Sequence, residues 1–388
     1  MWPSCLCKEL VQPLRWTCRH SYSTSSSIPP LPPLPEWRTL FNSSNQLKDH
    51  DRVSLKNQDT ARAVVQSFMS AKNEAAGKGK IIIEAFPGPG AISRALLELP
   101  KSEIHKLIIL EDHPEYLKYL MPLQEADPRV KVVPLSGFDW DTYSHIEDAG
   151  LLQDVEAVPW EGGHHPQLHF ISQLQATVKG EQLIAQLFRC IPDRSWLFKY
   201  GRIPMSFVLS EWVWKRISAE ESNVQRCKLS VIAKATATCK LTMNPEALTP
   251  YNDHFHPEVA IAKTAARETR KPGYPLVAMN IIPHAKQIIA SGMLEKWDYC
   301  LRRLFVLKST PLKKAINSLA PGAATLLKVL QDPSLPPEEQ VDINKAPRDL
   351  SLADWALIVR AFDNWPFAPQ DLMITDAFKK QNVTRMVL

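Results

Sequence analysis

The residues best suited to chemistry lie in a glycine-rich turn and at the end of the apolar run that follows it. EAFPGPG (84–90) comes directly after the apolar residues 81–83. Glycines let the backbone approach a ligand closely, and the helix predicted after the turn would begin with free N–H groups. Glu111 ends the next apolar run, 21 residues after Gly90, where an acid can accept hydrogen bonds from a ribose diol. The pattern favours a nucleoside site; the alternative for Glu111 is a solvated carboxylate at the end of a strand.

Two other kinds of site are disfavoured by spacing. The turn contains G-x-G without the third glycine of the dinucleotide fingerprint, so a nicotinamide cofactor is not expected. The stretches HHPQLH (164–169) and HFH (254–256) lack a second ligand pair at zinc spacing. No C-x-x-C pair occurs among the cysteines at positions 5, 7, 18, 190, 227, 239 and 300. We therefore predict no metal site, and thiols that are buried or free in a reducing compartment.

The nucleoside residues would be positioned by strands and helices that alternate between about residues 52 and 216. The predicted strands are 80–86, 106–112, 130–135 and 167–175, and the predicted helices are 60–71, 91–99, 115–126 and 181–191. This alternation predicts an α/β fold with a mostly parallel sheet and helices on both faces. A further strand is predicted within 204–218. Trp212 and Trp214, two positions apart, would share a face and fill core if they lie on a strand.

The pattern changes after about residue 217. Residues 228–242 are ambiguous between strand and helix, whereas the runs 283–307, 321–330 and 351–365 predict a small helical domain. The predicted boundaries are a transit peptide (1–26), a Pro-rich linker (27–50), an α/β domain (51–245), a C-terminal helical domain (246–365) and a flexible tail (366–388).

The N-terminal segments are distinguished by composition. Residues 1–26 carry Lys8, Arg15 and Arg19 against one acid and end in a Ser/Thr cluster, which predicts a mitochondrial transit peptide, with an unstructured cytosolic tail as the alternative. IPPLPPLPEW (28–37) is predicted to be an extended spacer outside the core. The net charge of +5 is compatible with nucleic acid but does not require it, and no run approaches the ~18 apolar residues of a membrane span.

An ordered series of motifs resembles those of a known family. EAFPGPG (84–90), LIILED (107–112) and SGFDWDTY (136–143) are similar to the nucleoside-binding motifs of the ribosomal RNA adenine dimethylases and their offshoot, the mitochondrial transcription factor B family. Within that group the chain most resembles the fungal mitochondrial transcription initiation factors, through SGFDWDTYSHI (136–146), 190–209 and 275–283. The resemblance implies a Rossmann-like, S-adenosylmethionine-dependent methyltransferase fold. The residues it implies for S-adenosylmethionine are Glu84, Gly88, Gly90, Glu111 and Asp139, with Asp141 as an alternative for the adenine contact.

One segment departs from the family's catalytic motif. The family holds the target adenine amine with an Asn-Leu-Pro-aromatic stretch, whereas this chain has Gln173, Leu174, Gln175 and Ala176. Glutamine is one methylene longer than asparagine, and a misplacement of about 1 Å can cost on the order of 100-fold in rate. Losing the aromatic ring removes roughly 1–3 kcal/mol of base stacking. No active catalysis is therefore expected, while S-adenosylmethionine binding stays open and is not required for function.

The resemblance implies a mitochondrial transcription initiation factor in the matrix, which would join the single-subunit mitochondrial RNA polymerase and melt promoter DNA. The alternatives are a mitochondrial rRNA adenine N6,N6-dimethyltransferase and a ribosome-assembly protein that binds small-subunit rRNA without modifying it. The predicted partners are the polymerase and promoter DNA, single-stranded and duplex, with no membrane. The predicted nucleic-acid contacts are Arg189, Arg194, Lys199, Arg202, Lys215 and Arg216, interleaved with aromatic residues.

Overall fold

The computed structural model describes residues 28–41, 52–69, 79–259 and 271–372. The predicted transit peptide (1–26) and the tail beyond residue 372 lie outside these ranges. The strands are β1 Ser54–Leu55, β2 Lys80–Ala85, β3 Ile104–Leu110, β4 Val130–Val133, β5 Leu168–Gln173, β6 Met205–Ser210, β7 Ala237–Met243, β8 Phe255–His256 and β9 Leu276–Pro283. The helices are α1 Leu34–Leu40, α2 Gln58–Met69, α3 Ala91–Leu97, α4 Pro114–Ala126, α5 Trp140–Asp148, α6 Val178–Cys190, α7 Glu211–Ile217, α8 Lys228–Thr236, α9 Tyr251–His254, α10 Leu294–Phe305, α11 Leu312–Ala315, α12 Leu326–Leu330 and α13 Leu352–Asp363.

Seven strands form one sheet in the order β4-β3-β2-β5-β6-β9-β7. The five strands from β4 to β6 are parallel, and β9 runs antiparallel to both β6 and β7. Ala85 pairs with Leu110 on one side and with Ser172 on the other. The carboxyl ends of β2, β3 and β5 therefore meet at one edge of the sheet, where a ligand site is expected.

Both faces of the sheet are buried, as the α/β prediction requires. Along β2, Ile81 and Ile83 point into one core and Ile82 into the other, since successive side chains of a strand alternate. One core includes residues of α1 to α4, and the other includes residues of α5 to α8 and of α10 to α13. The predicted Rossmann-like α/β architecture is confirmed.

Two features of the later chain differ from the sequence expectations. β9 lies within the segment assigned to the helical domain from residue 246, yet it is paired on both edges inside the sheet. Trp212 and Trp214 lie on helix α7, not on a strand, and are half-buried against the core. The Ser210 hydroxyl accepts a hydrogen bond from the Val213 amide and ends β6 by capping this helix. The ambiguous stretch 228–242 divides into α8 and then β7.

The proline-rich N-terminal segment is part of the core, so the prediction of a spacer outside it was wrong. Trp37 on α1 is 1% exposed, and its indole N–H donates to the Pro32 carbonyl at 2.8 Å. Its ring meets Phe41 and His256 edge-on, at centroid distances of 5.1 and 5.6 Å. Proline is compatible with the first turn of a helix, which is where it stands here. The burial of Trp37 and Phe41 therefore anchors this segment.

No helix within the described ranges has the length and apolar character needed to cross a bilayer. The same ranges hold no group of three or more His, Cys, Asp or Glu side chains arranged to bind a metal ion.

Candidate functional site

The glycine turn between β2 and α3 has the backbone conformation that glycine favours. Gly88 and Gly90 have φ of 59° and 91°, and Phe86 between strand and turn has φ of 58°. A Cβ on Gly90 would lie 2.7 Å from Leu120 Cδ2 and 2.8 Å from Arg94 Nη1. Residue 90 therefore needs glycine for both its conformation and its space.

Glu84 is a buried acid directly before this turn. The Ser93 hydroxyl donates to its Oε2 at 2.6 Å, whereas Oε1 has no hydrogen-bond partner among the described residues. Burial raises the pKa of Glu84 to about 7; the Ser93 hydrogen bond and Arg94 oppose the rise, and Glu111 adds to it. Glu84 is thus a carboxyl group that can change protonation near neutral pH.

Arg94 ties the N-terminal segment to the turn through carbonyl oxygens. Its Nη1 donates to Pro89 O at 2.7 Å and to Gly90 O at 2.9 Å. Its Nε donates to Pro29 O at 2.7 Å, and its Nη2 to Tyr119 O at 3.0 Å. Burial lowers the pKa of Arg94 to about 10, with Glu84 opposing. The guanidinium is therefore used to hold backbone segments together.

Glu111 follows β3 and is fully buried, so it is not a solvated strand-end carboxylate. Arg52 forms a bidentate ion pair with it, with Nη1–Oε1 at 2.9 Å and Nη2–Oε2 at 2.5 Å. The backbone N–H of His113 also donates to Oε1, at 3.0 Å. The Arg52 guanidinium carbon lies 4.8 Å from the centroid of the Tyr116 ring and 5.5 Å from that of Phe86. Both oxygens of the predicted ribose acceptor therefore contact protein donors.

The residues after Arg52 contact the glycine turn and the end of β5. A Cβ on Gly88 would overlap Ser54 Oγ. The glycine turn therefore packs closely against β1 of the same chain. Gln173, at the end of β5, donates from Nε2 to Val53 O at 2.7 Å and accepts at Oε1 from Leu55 N at 3.3 Å. The side chain at the family's asparagine position therefore binds backbone of this segment, which we call the covering segment (residues 52–55).

The other members of the predicted site lie around this cluster. Gly137 packs against β2, since a Cβ there would lie 2.6 Å from Ala85 Cβ, and this places the loop before α5 beside the turn. Asp139 follows as the exposed N-cap residue of α5, and its side chain makes no capping hydrogen bond. Asp141 is exposed in the first turn of α5. The structure thus brings Glu84, Gly88, Gly90 and Glu111 together and leaves Asp139 at the rim.

Four of the six predicted nucleic-acid cations are half-buried and contact protein acceptors. Their short contacts are Arg189 Nη1 to Asp298 Oδ1 (2.7 Å), Arg202 Nε to Trp160 O (2.7 Å), Lys215 Nζ to Glu211 Oε1 (3.2 Å) and Arg216 Nε to Glu181 Oε1 (2.9 Å). Three of these contacts join different parts of the fold, as where Arg189 of α6 meets Asp298 of α10, whereas Lys215 and Glu211 pair within α7.

Arg194 and Lys199 are the more accessible pair, with side chains 57% and 53% exposed. Arg194 lies 3.5 Å from Glu161, and Lys199 Nζ lies 2.6 Å from Glu147 Oε2. Ion pairs this exposed contribute only about 0–1 kcal/mol, so another anion can replace the carboxylate at small cost.

Sequence reasoning missed Arg52, Ser54 and Trp140. Arg52 lies 59 positions from Glu111 in the chain and belongs to no motif, so nothing in the sequence connected the two. Trp140 is 41% exposed, and its ring meets that of Trp196 edge-on at 6.2 Å. Its position directly after Asp139 was the available signal for a surface aromatic at the rim of the site.

Comparison with known proteins places this geometry in a family. A family model described as ribosomal RNA adenine dimethylase matches residues 46–356. The chain belongs to the ribosomal RNA adenine dimethylase family. The resemblance predicted from the motifs is thereby confirmed, and the glycine turn and Glu111 both lie in the matched region.

The relatives of this chain include proteins named as transcription factors and proteins named as dimethyladenosine transferases. Mitochondrial transcription factor 1 of Lachancea kluyveri is 25% identical over 320 residues, covering 77% of this chain and 85% of that protein. Dimethyladenosine transferase 1, mitochondrial, of Xenopus tropicalis is 27% identical over 216 residues, covering 55% of this chain and 57% of that protein. The solved dimethyladenosine transferase of Plasmodium falciparum aligns with 80% of this chain and 97% of its own, at 14% identity and a TM-score of 0.49.

The dimethylase family implies S-adenosylmethionine, and the described residues fit it only in part. Glu84 Oε1, which has no partner within the described ranges, and the positive φ of Gly88 and Gly90 suit a ligand at the turn. Both oxygens of Glu111 and the open face of Gly88 are, however, engaged by Arg52 and Ser54. In this arrangement the ribose end of the site does not fit the cofactor.

Proposed function

We propose that the chain is a mitochondrial transcription initiation factor that associates with the single-subunit mitochondrial RNA polymerase in the matrix, binds promoter DNA and promotes its melting. The name Mitochondrial transcription factor 1, carried by relatives that match more than four fifths of their own length, supports this proposal. The observation that carries it is Gln173: the amide at the family's target-amine position is buried and bonded to Val53 and Leu55. A side chain so engaged is not available to orient an adenine amine, so the fold is used for binding.

Melting requires no covalent chemistry. A surface that binds separated strands more tightly than duplex shifts the equilibrium toward the open form by its difference in affinity. One stacked base contributes roughly 1–3 kcal/mol, comparable to the cost of opening one base-pair step, which averages about 1.4 kcal/mol. A few contacts to single-stranded promoter DNA are therefore sufficient for a useful effect.

The surface around α5 has the residue types that such binding needs. Trp140, the first residue of α5, has an exposed ring. Lys199 is an exposed cation that pairs with Glu147, which also lies on α5. The turn Trp196–Tyr200 brings the two together, because Trp196 contacts Trp140 and Lys199 contacts Glu147. Trp140 would stack on a base and Lys199 would contact a phosphate. Arg194, two residues before this turn, would supply a further cation.

The test pairs transcription with methyl transfer. Run-off transcription by the cognate polymerase should depend on the mature protein on duplex promoter, and much less on a promoter melted in advance. Methyl transfer to the small-subunit rRNA hairpin should be absent. Transcription that is independent of the protein on duplex DNA, or robust methylation without polymerase stimulation, would overturn the proposal.

Variants localise the DNA surface. Trp140→Ala should weaken binding to single-stranded promoter DNA about 5- to 100-fold. Lys199→Ala should weaken it as well and should reduce its salt dependence. Lys118→Ala is the matched control, because Lys118 is a lysine of similar exposure that pairs with Glu115 on its own helix. Equal losses in the control and in Lys199→Ala would place DNA elsewhere on the protein.

The second candidate function is rRNA adenine N6,N6-dimethylation with S-adenosylmethionine. The observation that favours it is the turn itself, where one buried oxygen of Glu84 has no partner in the described part of the chain and lies beside two glycines of positive φ. It would require Gln173 to leave Val53 and Leu55 and bind the target base. The methyl-transfer arm of the experiment above distinguishes this function from initiation.

A further inference from the structure

We propose that Arg52 is a built-in occupant of the nucleoside site, and that its ion pair with Glu111 closes the site to S-adenosylmethionine. The guanidinium makes two parallel contacts to the carboxylate, at 2.9 and 2.5 Å, and the two side chains are 6% and 0% exposed. This role of Arg52 holds whether or not the chain acts at promoters.

The guanidinium takes up the contacts that a nucleoside would otherwise use. Glu111 is the acid predicted to accept the ribose hydroxyls, and both of its oxygens accept from Arg52. The rings of Tyr116 and Phe86 lie 4.8 and 5.5 Å from the Arg52 guanidinium carbon. Guanidinium groups pack favourably against aromatic rings, so both the charged and the flat surfaces of this group are satisfied.

A ribose would bind Glu111 less strongly than Arg52 does. Ribose hydroxyls would also form charge-assisted hydrogen bonds to the carboxylate, but they carry no positive charge, whereas the guanidinium adds the attraction of an ion pair to its two parallel hydrogen bonds. Displacement would also leave the Arg52 charge without its carboxylate in a buried position, which is strongly destabilising. The closed form is therefore favoured over a form that admits the cofactor.

The covering segment keeps Arg52 in place. Val53 and Leu55 bond to Gln173, and Ser54 fills the space beside Gly88. β1 also pairs with β8, through Ser54 with His256 and Leu55 with Phe255. Opening the site thus requires either movement of this whole segment or removal of the Arg52 side chain.

The test measures cofactor binding, not activity. Isothermal titration calorimetry with S-adenosylmethionine and S-adenosylhomocysteine should show no binding by the wild-type protein at millimolar ligand. Arg52→Ala should bind at least about tenfold more tightly than the wild type, because the closed form no longer reduces the competent fraction. The midpoint temperature of thermal unfolding should be lower for this variant than for the wild type without ligand, and it should rise as the ligand concentration increases.

Two further variants separate pocket opening from a general loss of a buried arginine. Arg129→Ala removes a buried arginine that pairs with Asp127 away from the site. It should be destabilised without any response to ligand. Arg52→Gln keeps a neutral donor to Glu111, so it serves if Arg52→Ala does not fold.

The proposal is overturned by either of two results. One is micromolar binding of S-adenosylmethionine by the wild-type protein, which would mean that Arg52 yields to the ligand. The other is a folded Arg52→Ala or Arg52→Gln variant that binds no more tightly than wild type. Neither result bears on promoter melting, which the transcription assay measures separately.

Discussion

Replacing Glu84 with glutamine should stabilise the protein at pH 8 and leave it unchanged near pH 4. Burial raises the pKa of Glu84 from an ordinary value of 4.5 to about 7 in the folded state. Between these values the folded protein holds a proton that the unfolded chain has released, so the free energy of unfolding falls as pH rises. Its contribution is fully present below about pH 4.5 and is lost as pH rises through about 7. The difference between the two pKa values corresponds to about 3 kcal/mol.

Glutamine removes this dependence because it stays neutral and has the same shape. It can also still accept the Ser93 hydrogen bond at Oε1. Urea unfolding, followed by tryptophan fluorescence from pH 4 to 8, gives the free energy of unfolding of both proteins. The difference, variant minus wild type, should rise from near zero to about 3 kcal/mol across this range. Other groups titrate in both proteins and cancel in the difference.

Glu125→Gln is the matched control, since Glu125 is an exposed acid on α4 and the charge change is the same. Its difference from wild type should vary little with pH. The reasoning is refuted if the Glu84→Gln curve runs parallel to wild type, or if the variant loses stability relative to wild type as pH rises. A parallel curve would mean that the pKa of Glu84 is the same in the folded and unfolded states, and a relative loss with rising pH would mean that Arg94 stabilises its charge in the fold.

Two other predictions concern residues around the site. Trp37→Ala should lower the free energy of unfolding by about 3–5 kcal/mol in urea titrations, while Phe367→Ala, which truncates a ring that is 75% exposed, should change it little. Equal small effects would show that the N-terminal segment is not part of the core. Gly90→Ala should lower the free energy of unfolding by about 1–3 kcal/mol more than Gly292→Ala does. Both glycines have positive φ, but a Cβ on Gly90 would lie 2.7 Å from Leu120, whereas one on Gly292 would meet nothing within 4 Å. Equal losses would show that Leu120 moves away without cost.

The elements of the first half of the sheet were predictable because their signals are local. β2, β3, β4 and β5 each lie within or overlap the predicted runs, and so do α2, α3, α4 and α6. An apolar run bounded by polar residues and turns predicts a strand, whichever strand it pairs with in the sheet. The glycine turn was equally readable, since glycine adopts positive φ without steric cost, and Gly88 and Gly90 both do so here.

Other features depended on which distant segments came together. β9 is an apolar run that only its pairing with β6 and β7 makes a strand, and the covering segment is marked by no motif. Trp37 follows prolines typical of a spacer, yet its burial against Phe41 and His256 outweighs that local preference. Local patterns were therefore sufficient to predict the family, the glycine turn and the acid at position 111. Only the tertiary structure placed Arg52 on that acid, because a contact across 59 residues depends on the fold's geometry and not on local preference.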